Sequence, residues 1–173
     1  TLALGFIKFA QVIIFLVKTD KHSNLNNMST AAEKIFMCPE SSRNKEIRIY
    51  ESIEFPLTWN LKKIIMKNVS ASDSLIFEYK NKWWLLTNLD NSDLNDHCSE
   101  LNIFYSKNGP ITDNWIKHDN NPIFIDSLKA RNGGLIFENE KIHRVAQSVG
   151  FNIYGKLNEG ITATDLVLTI TEK

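Results

Sequence analysis

The chain has 173 residues, with twenty Lys and Arg balanced by twenty Asp and Glu. That length suits one domain with a real core, and the absence of net charge argues against nucleic acid or another polyanion as partner. Two cysteines, Cys38 and Cys98, fall short of a disulfide framework and stand in no zinc-holding spacing, so no metal and no cofactor is expected.

In chain order, the first feature is the apolar run LALGFIKFAQVIIFLV, Leu2 to Val17, interrupted by Lys8. It is shorter than the roughly 18 to 20 residues that a spanning helix needs. Residues 1–30 therefore read as an N-terminal segment and linker that is either a degenerate blade or a signal-anchor, and membrane contact depends on which. From about Ala31 onward, short strands alternate with Asn, Asp, Ser, Gly and Pro clusters: EIRIYES (Glu46 to Ser52), SLIFEY (Ser74 to Tyr79), KWWLLT (Lys82 to Thr87), ELNIFYS (Glu100 to Ser106), GLIFE (Gly134 to Glu138) and FNIYG (Phe151 to Gly155). A helix-like turn over Trp59 to Lys67 is the one exception to an all-β pattern. Cys38 reads as a small core residue, and His97 beside Cys98 as part of a polar loop.

The chain repeats itself. KIFMCPES (Lys34 to Ser41), KWWLLTNL (Lys82 to Leu89) and KIHRVAQS (Lys141 to Ser148) each open on lysine and reach a polar residue at the seventh place: Glu40, Asn88 and Gln147. SLIFE before the second copy matches GLIFE before the third. A strand ending in aromatic residues follows each copy, and Pro56 with Trp59 is echoed by Pro110 with Trp115. Units of roughly 50 to 60 residues built from antiparallel strands fit propeller blades, at about 31–70, 71–129 and 130–173. In that arrangement the four tryptophans pack between blades. Three blades do not close a ring, so the expectation is a piece of a longer protein, or an extra strand pair from Thr1 to Thr30.

The segments FMCPESSRNKEIRIYESIEFPLTWNLKKI (Phe36 to Ile64), ASDSLIFEYKNKWWLLTN (Ala71 to Asn88), ELNIFYS and ARNGGLIFENEKIHRVAQSVGFNIYG (Ala130 to Gly155) carry a family resemblance. The chain resembles, from about Ala31 to Lys173, the propeller domain found N-terminal in plant glucosamine inositolphosphorylceramide transferases, which has bacterial relatives. More distantly it is similar to the five-bladed propellers of arabinanases, xylosidases and invertases, although Ser74 stands where their pattern has proline. The resemblance implies a partial five-bladed β-propeller that binds or acts on a carbohydrate or glycolipid, next to a fused or neighbouring transferase domain.

Three functions are consistent with the residues: a carbohydrate-binding module for glycan or glycolipid synthesis, a glycoside hydrolase, and a docking module for a transferase domain. Hydrolysis needs one protonated acid and one carboxylate base or nucleophile, for which Glu40 and Asp73 are the candidates. Asp73 in SASDS also suits a turn, and Glu40 in PESSRN a solvated loop. Asn88 and Gln147 share the place of Glu40 and can bond sugar hydroxyls. Arg131 could grip a carboxylate, sulfate or phosphate. Asn132, Arg144 and Tyr154 complete the set, with Arg144 and His143 on opposite faces of one strand.

Overall fold

The computed structural model describes residues 12–19, 32–138, 141–151 and 157–165. Among these residues the fold is all-β, with a single 3-10 turn at Ser42–Asn44. Three antiparallel sheets follow one another along the chain. The first runs in the order β1 (Val12–Thr19), β2 (Ala32–Pro39), β3 (Glu46–Glu54) and β4 (Thr58–Lys67). The second is built from β5 (Ser70–Tyr79), β6 (Lys82–Asp90) and β7 (Glu100–Ser106), with short β8 (Ile116–Lys117) and β9 (Phe124–Ile125) both paired to β7. The third contains β10 (Asn132–Glu138), β11 (Lys141–Phe151) and β12 (Leu157–Asp165). The strand β5 touches both β1 and β10, so the first strands of the three sheets are neighbours.

Period-two alternation explains the packing. In β5, Ile76 joins a core shared with Phe15, Phe36, Ile47 and Ile49 of the first sheet, while Leu75 and Phe77 join a second core with Ala130 and Ile142. In β6, Leu85 faces the first core, and Trp84 and Leu86 face the second. The middle sheet is thus covered on both faces. That is why SLIFEY and KWWLLT read as continuous apolar runs instead of alternating with polar residues. Each fully buried Leu, Ile or Phe contributes about 1.5–3 kcal/mol relative to exposure.

Three tryptophans serve this packing. Trp84 is 2% exposed, Trp83 meets Phe15 at 6.4 Å across the first two sheets, and Trp115 packs on the first core. Trp59 does not: it lies against Phe55 near the β3–β4 turn and donates its indole N–H to the Pro56 carbonyl at 2.9 Å. One local expectation changes. The segment Trp59 to Lys67 is a strand, because β4 pairs with β3 throughout, with register shifts that accommodate extra residues. Of FNIYG only Phe151 is described, as the last residue of β11, and the other four residues lie outside the described residues; Leu157–Asp165 pairs beside β11.

Candidate functional site

The chain leaves β2 at Pro39, passes Glu40 and Ser41, makes the 3-10 turn and enters β3 at Glu46. Lys45 adopts a left-handed conformation (φ 51), and its N–H bonds the Ser42 carbonyl at 2.9 Å. The Ser41 hydroxyl donates to the Glu46 carbonyl at 2.6 Å, and the Lys45 carbonyl accepts from the Val69 N–H at 3.1 Å. These bonds fix the loop against the chain entering β5. Along β3, Ile47 and Ile49 are buried at 2% and 0% exposure, so alternation sends Arg48 and Tyr50 to the opposite face.

That face borders a cavity of about 500 Å³, lined by Pro39, the Glu40–Asn44 loop, Arg48 and Tyr50. The volume lies in the range of small-molecule sites. Arg48 is held in place: its Nε donates to Glu46 Oε2 at 2.7 Å, and with the Asn44 amide oxygen turned toward it, both terminal nitrogens donate there at 2.8 and 2.9 Å. The hydrogen bond that Arg48 donates to Glu46 raises the Arg48 pKa above its usual value. Glu40 Oε1 accepts from the Ser42 hydroxyl at 3.3 Å. Arg43 is exposed and forms no ion pair with Glu40, although both line the cavity.

Most of the other predicted site residues gather elsewhere, where the second and third sheets meet. Asp73 sits at a register shift of β5 with φ 49, and its carboxylate accepts from Arg131 Nε at 3.1 Å. The Arg131 guanidinium also lies 3.8 Å from Cys98 Sγ. Asn132 donates its amide to the Asp73 carbonyl, and its N–H to the Asn88 side-chain oxygen, both at 2.9 Å. The Asn88 amide nitrogen donates to the carbonyls of Glu100 and Ala130, each at 2.9 Å. Arg144 donates to the Lys129 carbonyl and, at 3.3 Å, to that of Ala130, with its guanidinium 5.1 Å from the Phe124 ring centre. The Gln147 N–H bonds the Arg131 carbonyl at 2.9 Å.

This network satisfies the backbone that leads into β10, which a buried connection requires. Burial is the largest influence on Arg131 and pulls its pKa down, but the charge and hydrogen bond of Asp73 together with those of Cys98 outweigh it, and the net shift is upward. Burial lowers Arg144 to about 10 and raises the Cys98 thiol.

The structure therefore unites Asp73, Asn88, Arg131, Asn132 and Arg144 with the Gln147 backbone in one clasp, and sets Glu40 in the cavity. Asp73 does not line that cavity. Tyr154 lies outside the described residues. Among the described residues no group of His, Cys, Asp and Glu is arranged to hold a metal, and no helix is long and apolar enough to cross a membrane. His97 meets the Ser70 hydroxyl at 2.9 Å. Sequence reading missed Arg43, Asn44, Arg48 and Tyr50. The alternation of Arg48 and Tyr50 with Ile47 and Ile49 was the available signal.

Comparison with known proteins adds a family. The family model described as Glucosamine inositolphosphorylceramide transferase 1, N-terminal, matches residues 9–164. Glucosamine inositolphosphorylceramide transferase 1 of Oryza sativa subsp. japonica is 39% identical over 110 residues, which cover 60% of this chain and 14% of that protein. The protein of the same name from Arabidopsis thaliana is 35% identical over 126 residues, 71% of this chain and 16% of that protein. The matched stretch is thus a small part of each relative's length.

Proposed function

The chain belongs to the family of glucosamine inositolphosphorylceramide transferase 1 N-terminal domains, and from that premise we propose that it is a carbohydrate-binding module of β-propeller type, working beside a transferase domain in glycan or glycolipid synthesis. The relatives are named as glucosamine inositolphosphorylceramide transferases, and the matched stretch is only 14% to 16% of their length. A transferase partner is therefore part of the proposal. Three successive antiparallel sheets, with neighbouring first strands and shared apolar faces, support the propeller reading.

The observation that carries carbohydrate binding is the cavity beside β2 and β3. It offers a carboxylate at Glu40, a fixed guanidinium at Arg48, a second guanidinium at Arg43 and the Tyr50 ring. Convergent donors, acceptors and an aromatic surface suit polyhydroxyl rings. Hydrolysis is less well supported. It needs two carboxylates flanking one bond, about 5 to 9.5 Å apart, whereas the Asp73 side chain is 2% exposed, is paired with Arg131 and lies outside the Glu40 cavity.

The test is a sugar panel titrated onto the 173-residue chain, followed by saturation-transfer NMR, with product analysis of the same samples. Saturable binding that Glu40→Gln abolishes, with no sugar released, is expected. Sugar release that both Glu40→Gln and Asp73→Asn abolish would establish a glycosidase instead. Failure of every sugar to bind, together with tight association to a transferase domain, would leave a docking module.

A further inference from the structure

We infer that the cavity takes a glycan carrying an oxyanion, either a uronate or a sugar phosphate, with Arg43 on the anion and Glu40 on ring hydroxyls. The inference rests on the carbohydrate-binding reading and adds the ligand class. An ionised carboxylate can only accept hydrogen bonds, and a guanidinium can only donate them. Glu40 and Arg43 line one cavity without pairing with each other, so each offers its unmet capacity to whatever enters. Among the described residues Glu40 has only the Ser42 hydroxyl, at 3.3 Å on Oε1. Arg43 has no carboxylate partner among the described residues, whereas Arg48 is anchored by Glu46.

With Arg48 neutralised by Glu46, Arg43 and Glu40 are the two charges of the lining that no ion pair within the described residues neutralises. The planar fork of Arg43 matches two oxygens of a carboxylate or phosphate, and charge-assisted bonds of this kind are roughly twice as strong as neutral ones. A hydroxyl-bearing ring on the same ligand supplies the donors that Glu40 requires. The complementary ligand is therefore anionic at one end and a polyol at the other. A bare anion would meet Arg43 but leave Glu40 with no donor and with a like charge nearby.

Isothermal titration with glucose, glucuronate, glucose 6-phosphate and inorganic phosphate tests this. At least one anionic sugar should bind about ten-fold more tightly than glucose and more tightly than inorganic phosphate, with a preference that weakens as salt is added. The stronger of glucuronate and glucose 6-phosphate identifies the anion. Arg43→Gln should remove the preference, so that the anionic sugars bind no more tightly than glucose on the same variant, and Arg43→Lys should retain part of it. Glucose binding as tightly as both anionic sugars, or a preference that survives Arg43→Gln, would overturn the inference while leaving carbohydrate binding intact. If none of the sugars binds, the carbohydrate reading itself fails, and this inference with it.

Discussion

Arg131 Nε donates to Asp73 Oδ2 at 3.1 Å between residues on different sheets, and this bond ties the entry of β10 to the irregular point of β5. The carboxylate side chain is 2% exposed and the guanidinium 33%. Removing the arginine takes an ionic partner from a buried carboxylate, which costs more than an exposed ion pair is worth. Arg131→Ala should therefore lower stability by about 2 kcal/mol, a figure reduced for the partial exposure of the arginine. Urea denaturation of the single variants and of Asp73→Asn/Arg131→Ala checks it: the double variant should be more stable than additivity predicts.

Asn88 is 0% exposed and joins three backbone groups through one side chain. Asn88→Ala should cost about 2 to 4 kcal/mol, since the Glu100 carbonyl and the Asn132 N–H lose their bond to Asn88 and the Ala130 carbonyl is left with the longer bond from Arg144. Asn88→Asp should be at least as damaging, because a carboxylate cannot donate to those carbonyls. Chemical denaturation reads both effects.

The tryptophans should separate by position. Trp84→Ala removes a ring from the shared core and should cost about 3 to 5 kcal/mol. Trp59→Ala, which loses contact mainly with Phe55 at the β3–β4 turn, should stay within about 1 kcal/mol. Equal losses in thermal or urea melts would contradict the assignment of the cores.

Burial raises the Cys38 thiol from 9.0 to about 12. Below pH 9 the thiol is neutral in the folded and unfolded chains, and its neutral burial contributes in full. As pH rises past 9 the unfolded chain loses a proton that the folded chain keeps, and stability falls until about pH 12. The slope from this group approaches about 1.4 kcal/mol per pH unit. Comparing urea midpoints at pH 8 and 10.5, Cys38→Ala should show a shallower loss than the parent, whatever its stability at pH 8.

The architecture was legible where the chemistry is local. Alternation with apolar residues on both faces marks β5, β6 and β7, and the lysine-led repeat marks the second strand of each sheet. The strand β4 resisted reading because Lys62, Lys63 and Lys67 stand around Ile64 to Met66 in a helix-like spacing, and only its pairing with β3 settles its form. The strand β12 escaped because LNEGITATD offers little apolar alternation.

The site divided in the same way. The repeat singled out Glu40, Asn88 and Gln147, but nothing local told Asn88 that its partners would be the carbonyls of Glu100 and Ala130 and the N–H of Asn132. Similarly, the pairing of Asp73 with Arg131 depends on how two sheets meet. Arg48 becomes a cavity residue only once Asn44 and Glu46 fix its guanidinium.

The most direct test of carbohydrate recognition is an amide NMR titration of the chain with glucuronate, with glucose 6-phosphate and with glucose. At least one of the three should produce saturable shifts centred on Glu40 to Asn44, Arg48 and Tyr50, and Glu40→Gln should abolish them without changing the melting temperature. Absence of shifts with both anionic ligands and with glucose, or saturable shifts that leave this cavity untouched, would contradict it.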